Sequence, residues 1–552
     1  MALAARRLPG IRVDVAPPPP AEALPRMDVA VLVGFASTGP LHMAVPIESV
    51  AQFAAVFGGD APLAWDPALG ERVRAYLAPA VRAFFANGGR RCWVIRVARV
   101  EGTPSSGASA ATANAFAIPG VLSLDAGGAS TAAMAAARCE GSWSDGSRVS
   151  AALQKRTIAL EGAIAIASPP GNRLRLRSRI APRVGDVLEF DDEDGRCAFA
   201  VVEGVSVDPD PAGPYAFEAV ACAAFEPVVD VASPIASPPA ALPGLATVAG
   251  FGETVAATLL AASDAGARAR VRFDAPMPAS LEAGHWVRWS GGGEVAWLRM
   301  DEIEREPVFT GSPAQMDTAH VMATASGPAW RELGATLPFA IGTLERAHVL
   351  ALDLRVDDAS GAASSLAGVG LTPAHEKGWW LNWTDADFYR PSEDVGAGAA
   401  TETVPRFPLA RSGGPLPLAW IPLGVDPVFG ASPGRLPDGL TALERDGLSH
   451  FDASIFLDPE IASSAMQEIA ALADSIRFLR ETTRPLRGMH AAWSIGAGGV
   501  FNQTTLVAIP DAIHLGWHRR ESADPAPPQP DSTPMPPSWG THRGPCAKPP
   551  AE

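Results

Sequence analysis

The residues best placed to do chemistry fall into separate clusters along the chain. His514 and His518 stand four apart, the spacing that sets two imidazoles on one helix face, as a metal site needs. Pro510 and Gly516 disfavour a helix there and no third ligand is in view, so a surface or interface pair is the stronger reading. Asp452 and Asp458 flank the apolar run Ser454–Leu457 and could imitate a carboxylate pair, although Asp458 before Pro459 reads more simply as a turn residue. Gly496-Ala-Gly-Gly499 lacks the full dinucleotide spacing and follows Trp-Ser-Ile, which speaks against a phosphate cradle. Trp379, Trp380 and Trp383 lie in KGWWLNWTDADFYRPSED, close to Phe388 and Tyr389. Such rings can stack on a glycan or anchor a protein interface, and they can also staple a loop onto the core, the reading that carries most weight. No GxSxG elbow, HExxH helix, P-loop or EF-hand loop occurs. The expectation is a protein without catalytic residues, metal site or cofactor.

The totals bound the partners. Sixty acidic against 44 basic residues give a formal charge of -16, and basic residues occur only in short pairs such as Arg90-Arg91 and Arg519-Arg520. Phosphate backbones need clustered Lys and Arg, so nucleic acid is a poor partner. Cys92, Cys139, Cys197, Cys222 and Cys546 are odd in number, scattered, and never spaced as CxxC. A disulfide framework or structural zinc is not expected, and a reducing cytosol is the natural compartment. Arg6-Arg7 has no apolar run behind it, and no apolar stretch of ~18 residues occurs, so neither a signal peptide nor a spanning helix is expected.

A chain of 552 residues, 47% of them hydrophobic, suits about three to five domains. Residues 1–27 read as an extended arm: the β-like Ile11–Val15, then Pro17 to Pro20. Residues 28–100 give strand, helix, helix, strand. VAVLVGF is a buried strand. Ser49 caps a helix carrying Val50, Phe53 and Phe57 on one face, and Gly58-Gly59 stops it. YLAPAVRAFFAN is a second helix, with Leu77, Val81, Phe84 and Phe85 inward, and CWVIRV returns as a strand. Residues 101–140 are an Ala/Gly/Ser-rich connection.

Two later stretches look alike. Arg173-Leu-Arg-Leu, Gly185-Asp-Val-Leu-Glu-Phe and Ala198-Phe-Ala-Val-Val are echoed by Arg270-Val-Arg-Phe, Gly284-His-Trp-Val-Arg-Trp and Val295-Ala-Trp-Leu-Arg. They suggest related β modules over 141–232 and 251–344, with a linker at 233–250. Residues 345–520 return to mixed α/β character: strands at Val349–Val356, Ser454–Leu457, Met489–Trp493 and Thr505–Ile509, and an amphipathic helix over Met466, Ile469, Leu472, Ile476 and Leu479. The Pro-rich tail 521–552 has too few apolar anchors to fold and reads as disordered. The fold class expected is α/β (α+β), a core built from N- and C-terminal parts with small β-rich domains inserted.

Whole phrases of the chain resemble the tail sheath proteins of contractile phages and phage-tail-like injection systems. Leu8-Pro9-Gly10-Ile11-Arg-Val13 is similar to that family's PGVYV-type arm. DVAVLVGFASTGPLHMAVPIESVAQFAAVFGG (Asp28–Gly59) resembles its first strand and helix, and YLAPAVRAFFANGGRRCWVIRV (Tyr76–Val97) is the most specific piece. RFPLAR, LAWIPLGV, GLSHFDASIFLDPEIA, RPLRGMHAAW and TLVAIPDAIHLGWHRR look like later portions of long bacterial sheath-like proteins.

The resemblance implies subunits stacked as rings or a helix around an inner tube, meeting baseplate or cap proteins. It implies assembly in the cytoplasm into a tail or tail-like particle, without membrane insertion. It makes Pro9, Gly10, Ile11, Val13 and Val15 a self-assembly arm that gains its hydrogen bonds on a neighbour's sheet. One departure stands: the recognisable sequence stops near Arg520, where a sheath normally continues into a C-terminal strand-exchange domain. A non-contractile cap or adaptor of the same apparatus is therefore the runner-up. A glycan- or surface-recognition protein is the alternative from another class.

Overall fold

The computed structural model describes residues 29–100, 110–126, 129–167, 170–176, 181–191, 195–207, 215–227, 241–248, 254–260, 269–274, 281, 283–310, 315–325, 329–334, 345–390, 405–430, 432–436, 438–465, 486–493, 504 and 506–518. The arm 1–27, the helix expected over 466–479, the Gly496–Gly499 run and the tail 521–552 lie outside them. The protein is mixed α and β, with several sheets.

The chain begins with β1 (Val29–Gly34), β2 (Ala44–Ile47), α1 (Val50–Phe57), the hairpin β3 (Pro62–Asp66) and β4 (Glu71–Arg74), α2 (Leu77–Ala86) and β5 (Arg91–Arg96). Ser49 caps α1 by accepting from the Gln52 N–H at 3.1 Å, and Gly58, at φ 78°, ends it. The buried face of α1 is Gln52, Phe53, Val56 and Phe57; Val50, expected inward, faces solvent. Phe53, Val56 and Phe57 pack with Leu77 and Val81 of α2 against one side of the sheet.

Next come β6 (Ala115–Leu124) and β7 (Ser130–Ala137), inside the stretch expected to be a connection. In β7 the alternation is carried by alanines, whose small side chains hide a period of two from a reading by hydrophobicity, and β6 is interrupted by Pro119-Gly120. The β-rich middle holds β8 (Arg148–Ala167), β9 (Pro170–Leu176), β10 (Val187–Asp191), β11 (Cys197–Ser206), β12 (Tyr215–Pro227), β13 (Ala241–Val248), β14 (Thr254–Leu260) and β15 (Ala269–Phe273). It continues with β16 (Trp286–Gly291), β17 (Glu294–Arg299), β18 (Glu302–Thr310), β19 (Gln315–Ala325), β20 (Ala329–Gly334), β21 (Arg346–Asp357) and β22 (Ala363–Val369). The last elements are α3 (Asp385–Phe388), β23 (Leu409–Arg411), β24 (Ala419–Pro422), α4 (Ala442–Arg445), α5 (Pro459–Ser463) and β25 (Leu506–Ala508).

The middle strands form two rings with one pairing order. In the first, β10, β21, β8, β9, β12 and β11 pair in turn and β11 closes back on β10. In the second, β16, β13, β14 and β15 follow in the places of β10, β21, β8 and β9. The pair β19 and β20 stands where β12 does, and β18 with β17 where β11 does. The last strand of the first ring, β21, has its counterpart at the start of the second, because the second ring is inserted between β12 and β21. The equivalent strands β12 and β20 then pair antiparallel across the junction, a local two-fold. Phe190, Phe217 and Leu188 fill the first ring; Phe273, Val271 and Trp289 fill the second. Gly244 lets the Trp289 indole lie on β13, for a Cβ there would stand 2.7 Å from it.

These rings redraw the expected boundaries. β13 falls in the supposed linker 233–250, where Pro243 and Gly244 look like turn residues, and β21, assigned to the final core, completes the first ring. The sheet β23-β7-β6-β24 shares a core with the outer faces of β8, β21 and β11. Two expected strands are 3-10 turns instead. Ala453–Phe456 curls because the Asp452 carboxylate accepts the Ser454 N–H at 2.9 Å, and Gly488–Trp493 starts on Gly488 at φ 60°. Ile455 and Phe456 are buried all the same.

Candidate functional site

The sheet β2-β5-β1-β25 joins distant parts of the chain: β1, β5 and β25 run parallel, and β2 is antiparallel at one edge. In sheets of this kind ligands bind at the carboxyl ends of the strands. Here that crevice is filled. Phe35, directly after β1, packs on Phe451 at 5.3 Å, Phe456 at 5.5 Å and Trp517 at 6.2 Å between ring centroids. Asp511, fully buried, accepts the Phe35 N–H at 2.8 Å through Oδ2 and the Tyr76 N–H at 2.6 Å through Oδ1. His514 Nε2 lies 3.1 Å from the same Oδ1, and the His514 and Tyr76 rings stack at 4.5 Å. A Cβ on Gly34 would stand 2.3 Å from Asp511 Oδ2, so only glycine leaves room for the carboxylate.

The supposed metal pair is not one. The 3-10 turn Pro510–Ile513 ends before His514, whose backbone is extended, so His514 and His518 share no helical face. No cluster of metal-ligating side chains occurs among the described residues. Asp452 and Asp458 also serve structure. Asp452 pairs with Arg99 at 2.7 Å. Asp458, fully buried, caps α5 through the Glu460 N–H at 3.1 Å and accepts the Arg487 N–H at 2.9 Å.

The aromatic segment divides. Trp379 and Trp380 are 1% and 5% exposed, and both lie against Trp420, Trp380 stacked at 4.0 Å. Tyr389 is buried in a different cluster, beside α1 and α2. The segment therefore ties the β23-β7-β6-β24 sheet to the parallel sheet, and Trp379, Trp380 and Tyr389 offer no open ring to a sugar or partner. Trp383 is 62% exposed and remains open. Between these anchors lies an ion cluster that sequence reading missed: the fully buried Asp385 meets Arg138 at 3.0 Å and Arg406 at 2.5 Å. Its signals were Thr384, the N-cap of α3, and the Arg that opens RFPLAR. Replacing Trp380 with alanine should cost about 3–5 kcal/mol, whereas Trp383→Ala should cost within ~0.5 kcal/mol, as read in urea titrations of both variants.

His42 adds a pH response. Its Nε2 lies 2.7 Å from the Ala98 carbonyl and its Nδ1 accepts the Gly488 N–H at 3.0 Å, fixing a neutral ring that joins β2's approach to residues 486–493. Burial, aided by the Arg487 charge, pushes its pKa down to about 4. The unfolded chain, near 6.5, binds the proton more readily. Stability is therefore complete above pH 6.5 and falls as the pH drops through that window to 4, by up to about 3 kcal/mol. His490, also lowered by burial, acts in the same direction. His42→Asn should flatten this slope; equal slopes in both proteins would contradict the assignment.

One surface left open among the described residues is the outer edge of the parallel sheet. Among the described residues no strand pairs with the far side of β25, and its Leu506 and Val507 are exposed. The opposite edge, β2, contains Pro46, which removes a donor. No helix among the described residues is long and apolar enough to cross a membrane. No known family model matches the chain, and no curated protein matches it significantly.

Proposed function

We propose that this chain is a structural assembly subunit of the tail-sheath type, part of a contractile tail or injection apparatus, which packs with copies of itself around an inner tube. The observation that carries the reading is the parallel pairing of β1 with β25, Ala30 opposite Leu506 and Leu32 opposite Ala508. Two of the stretches that resemble sheath proteins, 28–97 and 505–520, thus meet in one sheet although more than 400 residues separate them. The strand rings between them are insertions into that core.

The side of β25 that no described strand pairs with offers what a subunit arm needs, backbone groups beside the exposed Leu506 and Val507. Ile11–Val15, alternating and followed by prolines, is a suitable donor strand for a neighbouring copy. Head-to-tail contacts of this kind generate rings or open helices. Energy for movement would reside in subunit packing, with no catalytic group required.

Val507→Lys tests the edge. A charge there should leave the monomer folded, because Val507 is already exposed, and should shift sedimentation from large assemblies to monomer. Assembly unchanged by the substitution would rule out β25 as the receiving edge. Monomers in both proteins would favour the cap or adaptor role within the same apparatus.

A further inference from the structure

At the carboxyl end of the parallel sheet the protein carries a shelf of aromatic and apolar side chains that no described residue covers. The β3–β4 hairpin projects from its base at Ala61 and Ala75, with Leu63 buried beneath and Trp65 and Leu69 exposed. Its turn is well formed: Asp66 Oδ1 accepts the Ala68 N–H at 2.8 Å, and the Gly70 N–H reaches the Asp66 carbonyl at 2.8 Å. Tyr76, at the foot of β4, is half open and lies flat on His514, which Ile513 and Leu515 flank, the latter 86% exposed. Arg72 and Arg74 point out from β4 and have no ion-pair partner among the described residues; Asp66 and Glu71 are the acids of the same hairpin, paired across its turn end. A two-stranded hairpin gains nothing for its own stability from an exposed Trp.

We propose that this shelf binds the Pro-rich segment Asp524–Trp539 of the same chain. The chemistry matches on each count. DPAPPQPDSTPMPPSW holds three PxxP spacings, at Pro525–Pro528, Pro527–Pro530 and Pro534–Pro537, and so favours polyproline II geometry. Exposed aromatic rings are the surface that such a preformed helix docks on. From Glu521 to Gly540 the chain has Glu521, Asp524 and Asp531 and no Lys or Arg, the complement of Arg72 and Arg74. Connectivity favours the contact as well. The described chain reaches His518, three positions past Leu515, and seven residues at ~3.1 Å each give roughly 20 Å of reach to Pro525. A tether this short sets an effective concentration on the order of millimolar, enough for a weak polyproline contact. The inference is independent of the assembly role; in an assembling subunit, the docked segment would cover an apolar rim before a neighbour does.

The test uses the full chain with a benzophenone photocrosslinking amino acid in place of Ser538. Isotopically light and heavy copies are mixed at low concentration, irradiated, and the crosslinked peptides read by mass spectrometry. Crosslinks within one copy to residues 62–76 or 510–515 are expected, falling roughly tenfold with Trp65→Ala plus Leu69→Ala. Asp524→Lys plus Asp531→Lys, which leaves the folded domains untouched, should also reduce them. Light-to-heavy crosslinks at the same shelf would assign the occupant to a second copy and overturn docking within the chain. Crosslinks scattered over the surface, or unchanged by both pairs of substitutions, would overturn the shelf itself.

Discussion

Asp385→Ala is expected to destabilise the protein by about 3–5 kcal/mol, the range for removing one member of a buried ion cluster. The side chains of Arg138 and Arg406 are 7% and 12% exposed and both aim at this one carboxylate. Its loss would leave two largely buried guanidinium groups without their carboxylate. The backbone bond from the Asp385 N–H to the Arg138 carbonyl at 2.7 Å survives the substitution, so the loss reports the side-chain contacts. Trp379 and Trp380 lie nearby in sequence, so tryptophan fluorescence in urea should report the change directly. Combining Asp385→Leu with Arg138→Met and Arg406→Met should recover much of the loss, because apolar groups of similar volume do not leave a charge unpaired. A cost under ~1 kcal/mol for Asp385→Ala would show that the cluster is solvated and does not hold the Trp379–Tyr389 segment.

Asp511→Ala should be comparably severe, about 3 kcal/mol, because it orphans the N–H groups of Phe35 and Tyr76 together. Gly34→Ala should approach the same loss by another route, pressing a methyl group against the carboxylate. The two substitutions act on one contact, so their effects in the double variant should fall well short of the sum. Full additivity in urea titrations would mean that Gly34 and Asp511 act separately.

Much of the parallel sheet was readable from local pattern. VAVLVGF is a continuous apolar run suited to a strand covered on both faces, CWVIRV is one broken only by Arg96, and Ser49 before an apolar periodic stretch announces α1. Local signals also explain the failures. An apolar tetrad such as Ser454–Leu457 does not distinguish a strand from a 3-10 turn, and the Asp452 carboxylate decides for the turn. The β6–β7 hairpin was hidden by the alanines of β7 and by Pro119-Gly120 within β6. The echo between 173–202 and 270–299 located parts of both rings. It could not reveal that β21, far along the chain, closes the first, since ring closure is a long-range pairing without a local signature.

The anchoring groups were the least legible. Asp511 meets Phe35 across 476 positions, and Asp385 meets Arg138 across 247. Nothing about a lone Asp in sequence announces such a partner. The tryptophans are different: WWLNW carries enough apolar area to suggest a staple, and Trp379 and Trp380 are buried while Trp383 is left outside.

Negative-stain electron microscopy of the full-length chain, beside one lacking residues 1–27, tests the assembly reading most directly. The reading predicts rings or tubes for the full chain and dispersed monomers once the arm is removed. Uniform monomers in both samples would contradict self-assembly through that arm.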